Sequence, residues 1–155
     1  MATDRRAEVT WQGSLMEGSG TIRSTTSGKL GEQKVSWPNR SEDNPDATSP
    51  EELIAAAHAA CFSMALSAGL ARDGNPPDEL NTSATVTFQP GEGITKIALS
   101  VEGRVPGIDD AAFQEAANGA KQNCPVSKAL GRARDHAGRA AVELDNSRIS
   151  SSSGS

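Results

Sequence analysis

The sequence predicts an α+β fold, and three features predict it. Short alternating segments fill the first 37 positions; a run of 18 positions from Leu53 to Leu70 carries no Lys, Arg, Asp or Glu; and a hairpin pattern then precedes further helices and a last strand. Strands and helices are grouped along the chain, not alternated, which separates this class from a doubly wound sheet. The 155 residues match one ordinary domain, expected over positions 1–148. Aromatic residues make up only 3% and Tyr is absent, so the core must rely on close packing of small side chains. Dimerisation is one way to add the missing buried area.

In the first segment Ala7, Val9 and Trp11 alternate with polar neighbours, Ile22 sits in a Thr/Ser-rich run, and Leu30 to Trp37 reads as a strand ended by Pro38. Glycines at 13, 18, 20 and 28 provide turns. A polar loop, NRSEDNPDATSP, leads to the long helix. Ser49 as N-cap, Pro50 in the first turn and Glu52 at the third position form a helix start with a capping box. Glu52 thus has a structural task, whereas Glu51 has none from capping chemistry. The helix is expected to reach about Arg72, ended by Asp73-Gly74 and Pro76-Pro77.

Thr82, Ala84, Val86 and Phe88 then alternate, and Pro90-Gly91-Glu92-Gly93 turns the chain into Ile94 to Val105. Asp109 or Asp110 can cap a second helix reaching about Gln122, Cys124-Pro125 opens a short helix through Leu130, and Ala140 to Leu144 forms a last strand. The Ser-rich end, 149–155, cannot contribute a core and is expected to be a disordered tail.

A net charge of -5 with scattered basic residues argues against a general grip on nucleic acid or an anionic membrane. Leu53 to Leu70 is long enough for a membrane span, but Ala, Ser, Gly and His58 fill much of it and no aromatic belt flanks it, so a buried helix is expected. No apolar run follows the N-terminal charges, so no secretory signal is expected and residence is taken as cytoplasmic. Cys61 and Cys124 lie 63 positions apart and lack paired metal-ligand spacing, so neither a metal nor a cofactor is implied.

Two cysteines in a reducing compartment are either core residues or redox groups. Cys61 lies in the middle of the long helix among small residues that leave room around its sulfur. A buried core thiol is the plain alternative. Cys124, just before Pro125, sits at a helix N-terminus, where the dipole and free N–H groups favour a thiolate, although packing beneath the last helix would also explain it. Thiolate chemistry at Cys61 needs a nearby cation, because burial raises a thiol pKa. Arg40, in the polar loop, is the candidate, and Glu51 can hold its guanidinium in a bidentate contact. A solvated surface pair is the alternative for both. His58, three residues before Cys61, can approach the thiol as a base or pack as an interior histidine.

The run SPEELIAAAHAACFSMAL, with VPGIDDAAF and NCPVSKAL after it, closely resembles the osmotically inducible protein C (OsmC) family, whose relatives include the organic hydroperoxide resistance (Ohr) proteins. The resemblance spans roughly residues 7 to 145. It implies an OsmC-like α+β fold of antiparallel sheets around a central buried helix, in an intertwined homodimer. It also implies a thiol peroxidase in which Cys61 attacks an organic hydroperoxide and Cys124 resolves the sulfenic acid. The family's arginine and glutamate correspond to Arg40 and Glu51. The His-Ala-Ala-Cys form resembles the OsmC branch, whereas the Ohr branch usually has Tyr there. Ser41 follows Arg40 where the family typically has an aromatic residue. An external dithiol, such as a lipoylated protein, is the reductant the Ohr relatives suggest. Two other functions compete: a noncatalytic binding protein for apolar ligands, and a redox sensor that signals through its disulfide.

Overall fold

The computed structural model describes residues 1–42, 46–132 and 141–149. The chain divides into two compact units, Met1–Leu53 and Ile54–Ser155.

The first unit is built on a three-stranded antiparallel sheet, β1 (Ala7–Gln12), β2 (Ser19–Thr25) and β3 (Gln33–Val35), in that spatial order. Trp11 pairs with Gly20, and a Cβ on Gly20 would come within 2.9 Å of the Trp11 ring and 2.8 Å of Val35, so only glycine allows both to close over this position. The sheet has little core of its own. Every β1 residue is exposed, Val9 and Trp11 among them, and Ile22 is the buried anchor of β2.

The expected strand from Leu30 to Trp37 is shorter, and the loop after it begins with a helix, α1 (Trp37–Ser41). Glu32 has a left-handed φ of 65°, which breaks the extended run before β3. Pro38, read in the sequence as a strand terminator, lies in the first turn of α1, where its missing N–H costs nothing, and Ser36 caps that turn by accepting from the Asn39 N–H at 3.4 Å. Ser-x-Pro here is a helix start of the same chemistry as Ser49-Pro50.

The long helix, α2 (Pro50–Arg72), begins and ends as the sequence indicates. Ser49 Oγ accepts from the Glu52 N–H at 3.1 Å, the forward half of the capping box; the Glu52 carboxylate instead accepts from the Thr48 hydroxyl at 2.5 Å. His58, Phe62, Leu66 and Leu70, spaced by four, form one buried stripe. The other side is exposed yet apolar: Ala56, Ala57, Ala60, Met64 and Ala68, with Met64 72% exposed. By length and composition α2 could cross a membrane. Its Phe62, Leu66 and Leu70 belong instead to the protein's own core, together with Leu99, Val101 and Phe113.

The second unit pairs β4 (Glu79–Gln89) with β5 (Gly93–Arg104) as the expected hairpin, its turn using left-handed Gly91 and Gly93. Then come α3 (Asp110–Asn123), capped by Asp109, and α4 (Pro125–Arg132). β6 (Ala141–Ile149) pairs with β5 in parallel, an exception among otherwise antiparallel strands. Two helices separate β5 from β6, the length of connection that a parallel neighbour requires. Phe113 of α3 covers Gly103 of β5, where a Cβ would meet the ring at 2.7 Å. Ile149, placed at the start of the tail in the sequence reading, is the last residue of β6, its N–H donating to Asp110 at 3.1 Å. The remainder of the expected tail, 150–155, and Ala140 lie outside the described residues.

Candidate functional site

Arg40 is presented by α1. The Ser36 cap fixes the helix start, and the Asn39 side chain donates to the Ala47 carbonyl at 3.2 Å, tying this short helix to the segment before α2. From there Arg40 Nε donates to Glu51 Oε1 at 2.9 Å. Glu51 is buried in the first turn of α2, and its second oxygen is buried with no hydrogen-bond partner among the described residues. The contact therefore runs through one carboxylate oxygen, where the sequence suggested two. Glu51, which capping left without a task, is held by Arg40 as expected, and the carboxylate's burial distinguishes the pair from a solvated surface pair.

Cys61 and Cys124 come together in the second unit. Cys61 lies partly exposed on α2, and Cys124 is fully buried at the junction of α3 and α4. Both are free thiols, close enough for one to hydrogen-bond the other. Pro125 starts α4 without an N–H, so the next two N–H groups, of Val126 and Ser127, are left to find acceptors; the Ser127 N–H acts on the Cys124 sulfur, and the Val126 N–H acts on both sulfurs. The helix N-terminus expected to favour a thiolate is thus present at this cysteine.

The two thiols differ in their electrostatics. Burial pushes the Cys61 thiol up, and the hydrogen bond to Cys124 and the charge there push it further, against the Val126 N–H, which lowers it. Burial also pushes Cys124 up, but the Ser127 N–H, the Cys61 thiol, the Ser127 hydroxyl and the Val126 N–H together outweigh it and bring Cys124 below its ordinary value. Among the described residues, no cation acts on the Cys61 thiol.

His58 does not act on Cys61 directly. It is fully buried, its Nε2 lies 2.6 Å from Ser127 Oγ, and burial lowers its pKa below the ordinary value. Ser127 went unnoticed in the sequence. Its signal was the spacing Cys124-x-x-Ser127, which puts a hydroxyl over the cap of the helix that Cys124 opens. Among the described residues, no three His, Cys, Asp or Glu side chains gather as metal ligands would.

Known proteins resemble this chain over most of its length. A family described as OsmC-like protein matches residues 42–136. Peroxiredoxin OsmC of Escherichia coli (strain K12) is 44% identical over 133 residues, 84% of this chain and 92% of that protein. The organic hydroperoxide resistance protein of Xanthomonas axonopodis pv. citri is 35% identical over 109 residues, 69% of this chain and 77% of that protein. Among solved structures, the organic hydroperoxide resistance protein OhrB of Bacillus subtilis superimposes with a TM-score of 0.58 at 28% identity, covering 90% of this chain and 98% of that one. With two thirds or more of each of these relatives matched and the helix-borne and cap-borne cysteines in contact, the chain belongs to the OsmC-like protein family.

Proposed function

We propose that this chain is a thiol-dependent peroxidase that reduces organic hydroperoxides to alcohols in peroxide defence. The carrying observation is the contact between Cys61 and Cys124 in an OsmC-like chain. The Cys61 thiolate attacks the terminal peroxide oxygen, the O–O bond breaks, the alkoxide leaves and takes up a proton as alcohol, and Cys61 becomes a sulfenic acid. The Cys124 thiolate then attacks the Cys61 sulfur, forming the disulfide as hydroxide leaves. An external dithiol returns two electrons and restores both thiols; a lipoylated protein is the reductant we favour. We place the enzyme in the cytoplasm, where thiols are kept reduced.

The first step needs Cys61 ionised, which its own chain does not favour. We assign the missing cation to Arg40, held by Glu51, of a partner subunit. Glu51 and Cys61 are ten residues apart on α2, about 15 Å of helical rise, too far for the carboxylate to support the thiol of its own helix. If two copies of α2 cross antiparallel about a twofold near residue 56, position 51 of one meets position 61 of the other. Ala56, Ala57 and Ala60, exposed and small, permit that close approach.

The deciding experiment follows cumene hydroperoxide loss with dithiothreitol as reductant, beside a Cys61→Ser control. The control is expected to be inactive, because a hydroxyl cannot follow the oxidation cycle. Activity retained by Cys61→Ser would end the proposal; an inactive wild type that still binds the peroxide would favour the noncatalytic binding function.

A further inference from the structure

Among the described residues, the peroxidase cycle leaves one buried titratable group unused, His58. It is 0% exposed, and its Nε2 meets Ser127 Oγ at 2.6 Å, joining positions 69 residues apart. Its other ring nitrogen, Nδ1, is buried with no partner among the described residues. Ser127 is itself buried and stands in the first turn of the helix that Cys124 opens, where the Lys128 N–H donates to the Cys124 carbonyl at 3.0 Å, and from there its hydroxyl lowers the Cys124 thiol.

A serine hydroxyl has one proton to give. If that proton points at the Cys124 sulfur, the oxygen must accept from His58, which requires the tautomer with its hydrogen on Nε2. The opposite tautomer would draw the hydroxyl proton toward the imidazole, leave the sulfur without it, and bury an N–H at Nδ1 with no acceptor. Burial keeps the ring neutral, so this is a chain of neutral donors aimed at a thiolate.

We propose that His58 is a positioning residue for the resolving cysteine: its Nε2–H fixes the rotor of Ser127 so that the hydroxyl donates to Cys124 Sγ and holds that sulfur as the nucleophile for the sulfenic acid on Cys61. The proposal rests on the disulfide cycle above. The step balances without a new reagent, since the S–S bond forms as the Cys61 S–O bond breaks and hydroxide departs, while Ser127 and His58 keep their protons. Among the described residues, the titratable groups facing Cys124 are Cys61 and, through Ser127, His58, both from α2; α4 contributes the Ser127 hydroxyl and two N–H groups. The rest of its cluster is apolar, with Phe62, Leu66, Phe113 and Ala117 among its members.

The test is thiolate absorbance near ~240 nm against pH in a Cys61→Ser background, where one thiol titrates and the absence of Tyr removes the phenolate signal. Ser127→Ala and His58→Leu are each expected to raise the Cys124 midpoint by about one pH unit, roughly tenfold less thiolate at a pH below it. His58→Gln, whose amide N–H can stand where Nε2–H stood, is expected to restore most of the shift, a recovery that a merely space-filling role would not produce. With Cys61 present, the variants that lose the donor chain should also show a several-fold higher ratio of sulfinic acid to disulfide by intact mass after peroxide. Midpoints for Ser127→Ala equal to the parent's would overturn the proposal, even if His58→Leu failed to fold. So would a shift in Ser127→Ala with none in a folded His58→Leu. Wild-type protein that forms no disulfide with peroxide would refute the cycle, whatever the titration reads; disulfide formation with unshifted midpoints would refute the donor chain alone.

Discussion

Lowering the pH from about 7.5 to about 5.5 is expected to destabilise this protein through one residue, by up to about 1.4 kcal/mol. His58 is fully buried, and its Nδ1 has no hydrogen-bond partner among the described residues. Protonation would place a charge and an unsatisfied N–H in the core, and burial accordingly depresses its pKa below the ordinary 6.5. The sign follows from proton counts. As the pH falls through 6.5 the unfolded chain binds a proton at this histidine, and the native state does not, so the equilibrium moves toward unfolding. The stability is fully present above 6.5 and is lost as the pH falls toward the lowered native value. A histidine that stays neutral throughout gives a factor of about ten in the unfolding equilibrium over this interval, which is the 1.4 kcal/mol stated. The assay is urea unfolding at fixed protein concentration at both pH values, for wild type and His58→Gln. Every other titratable group is common to the two proteins, so the difference in slope isolates His58. Equal pH slopes in wild type and variant would refute the reasoning.

Four further outcomes follow from the structure. Cys124→Ser should react with peroxide once and then accumulate sulfinic or sulfonic acid on Cys61, because no thiol remains beside it; intact-mass spectra matching those of wild type would remove Cys124 as resolver. Organic hydroperoxides should exceed hydrogen peroxide in kcat/KM by at least about tenfold, since burying two methylene-sized groups suffices for that factor; equal values would argue against an apolar substrate site. A heterodimer of Cys61→Ser with Glu51→Ala chains should regain one of two sites, about half the wild-type activity, through the wild-type cysteine of one chain and the wild-type glutamate of the other; verified heterodimers with no recovery would place the glutamate's action within its own chain or nowhere. Gly103→Ala should cost about 1–3 kcal/mol by thermal unfolding, because the new methyl meets the Phe113 ring at 2.7 Å, and a neutral result would mean that α3 can shift freely on β5.

By itself the sequence determined the features that depend on neighbours along the chain. Ser49-Pro50 and Asp73-Gly74 bound α2, the Pro90 to Gly93 turn made the hairpin, and Asp109 capped α3, because caps and turns satisfy backbone groups within a few residues. The same local chemistry was misread at Pro38, where a stop signal and a first-turn proline look alike until the chain's path is known. Cys61, Cys124, Arg40 and Glu51 could be named from their motifs, and the Arg40–Glu51 contact could be anticipated. Only the tertiary structure decided the opposite directions in which the two thiols are pushed, because burial and the N–H groups at the start of α4 act on both sulfurs at once and their balance is three-dimensional. It also decided that β6 runs parallel to β5, which no residue pattern distinguishes from the reverse. The partner of His58 was equally illegible: a histidine three residues from a cysteine points along its own helix to that thiol, yet its hydrogen bond goes to a serine 69 residues away, a buried hydroxyl that only the fold brings within reach.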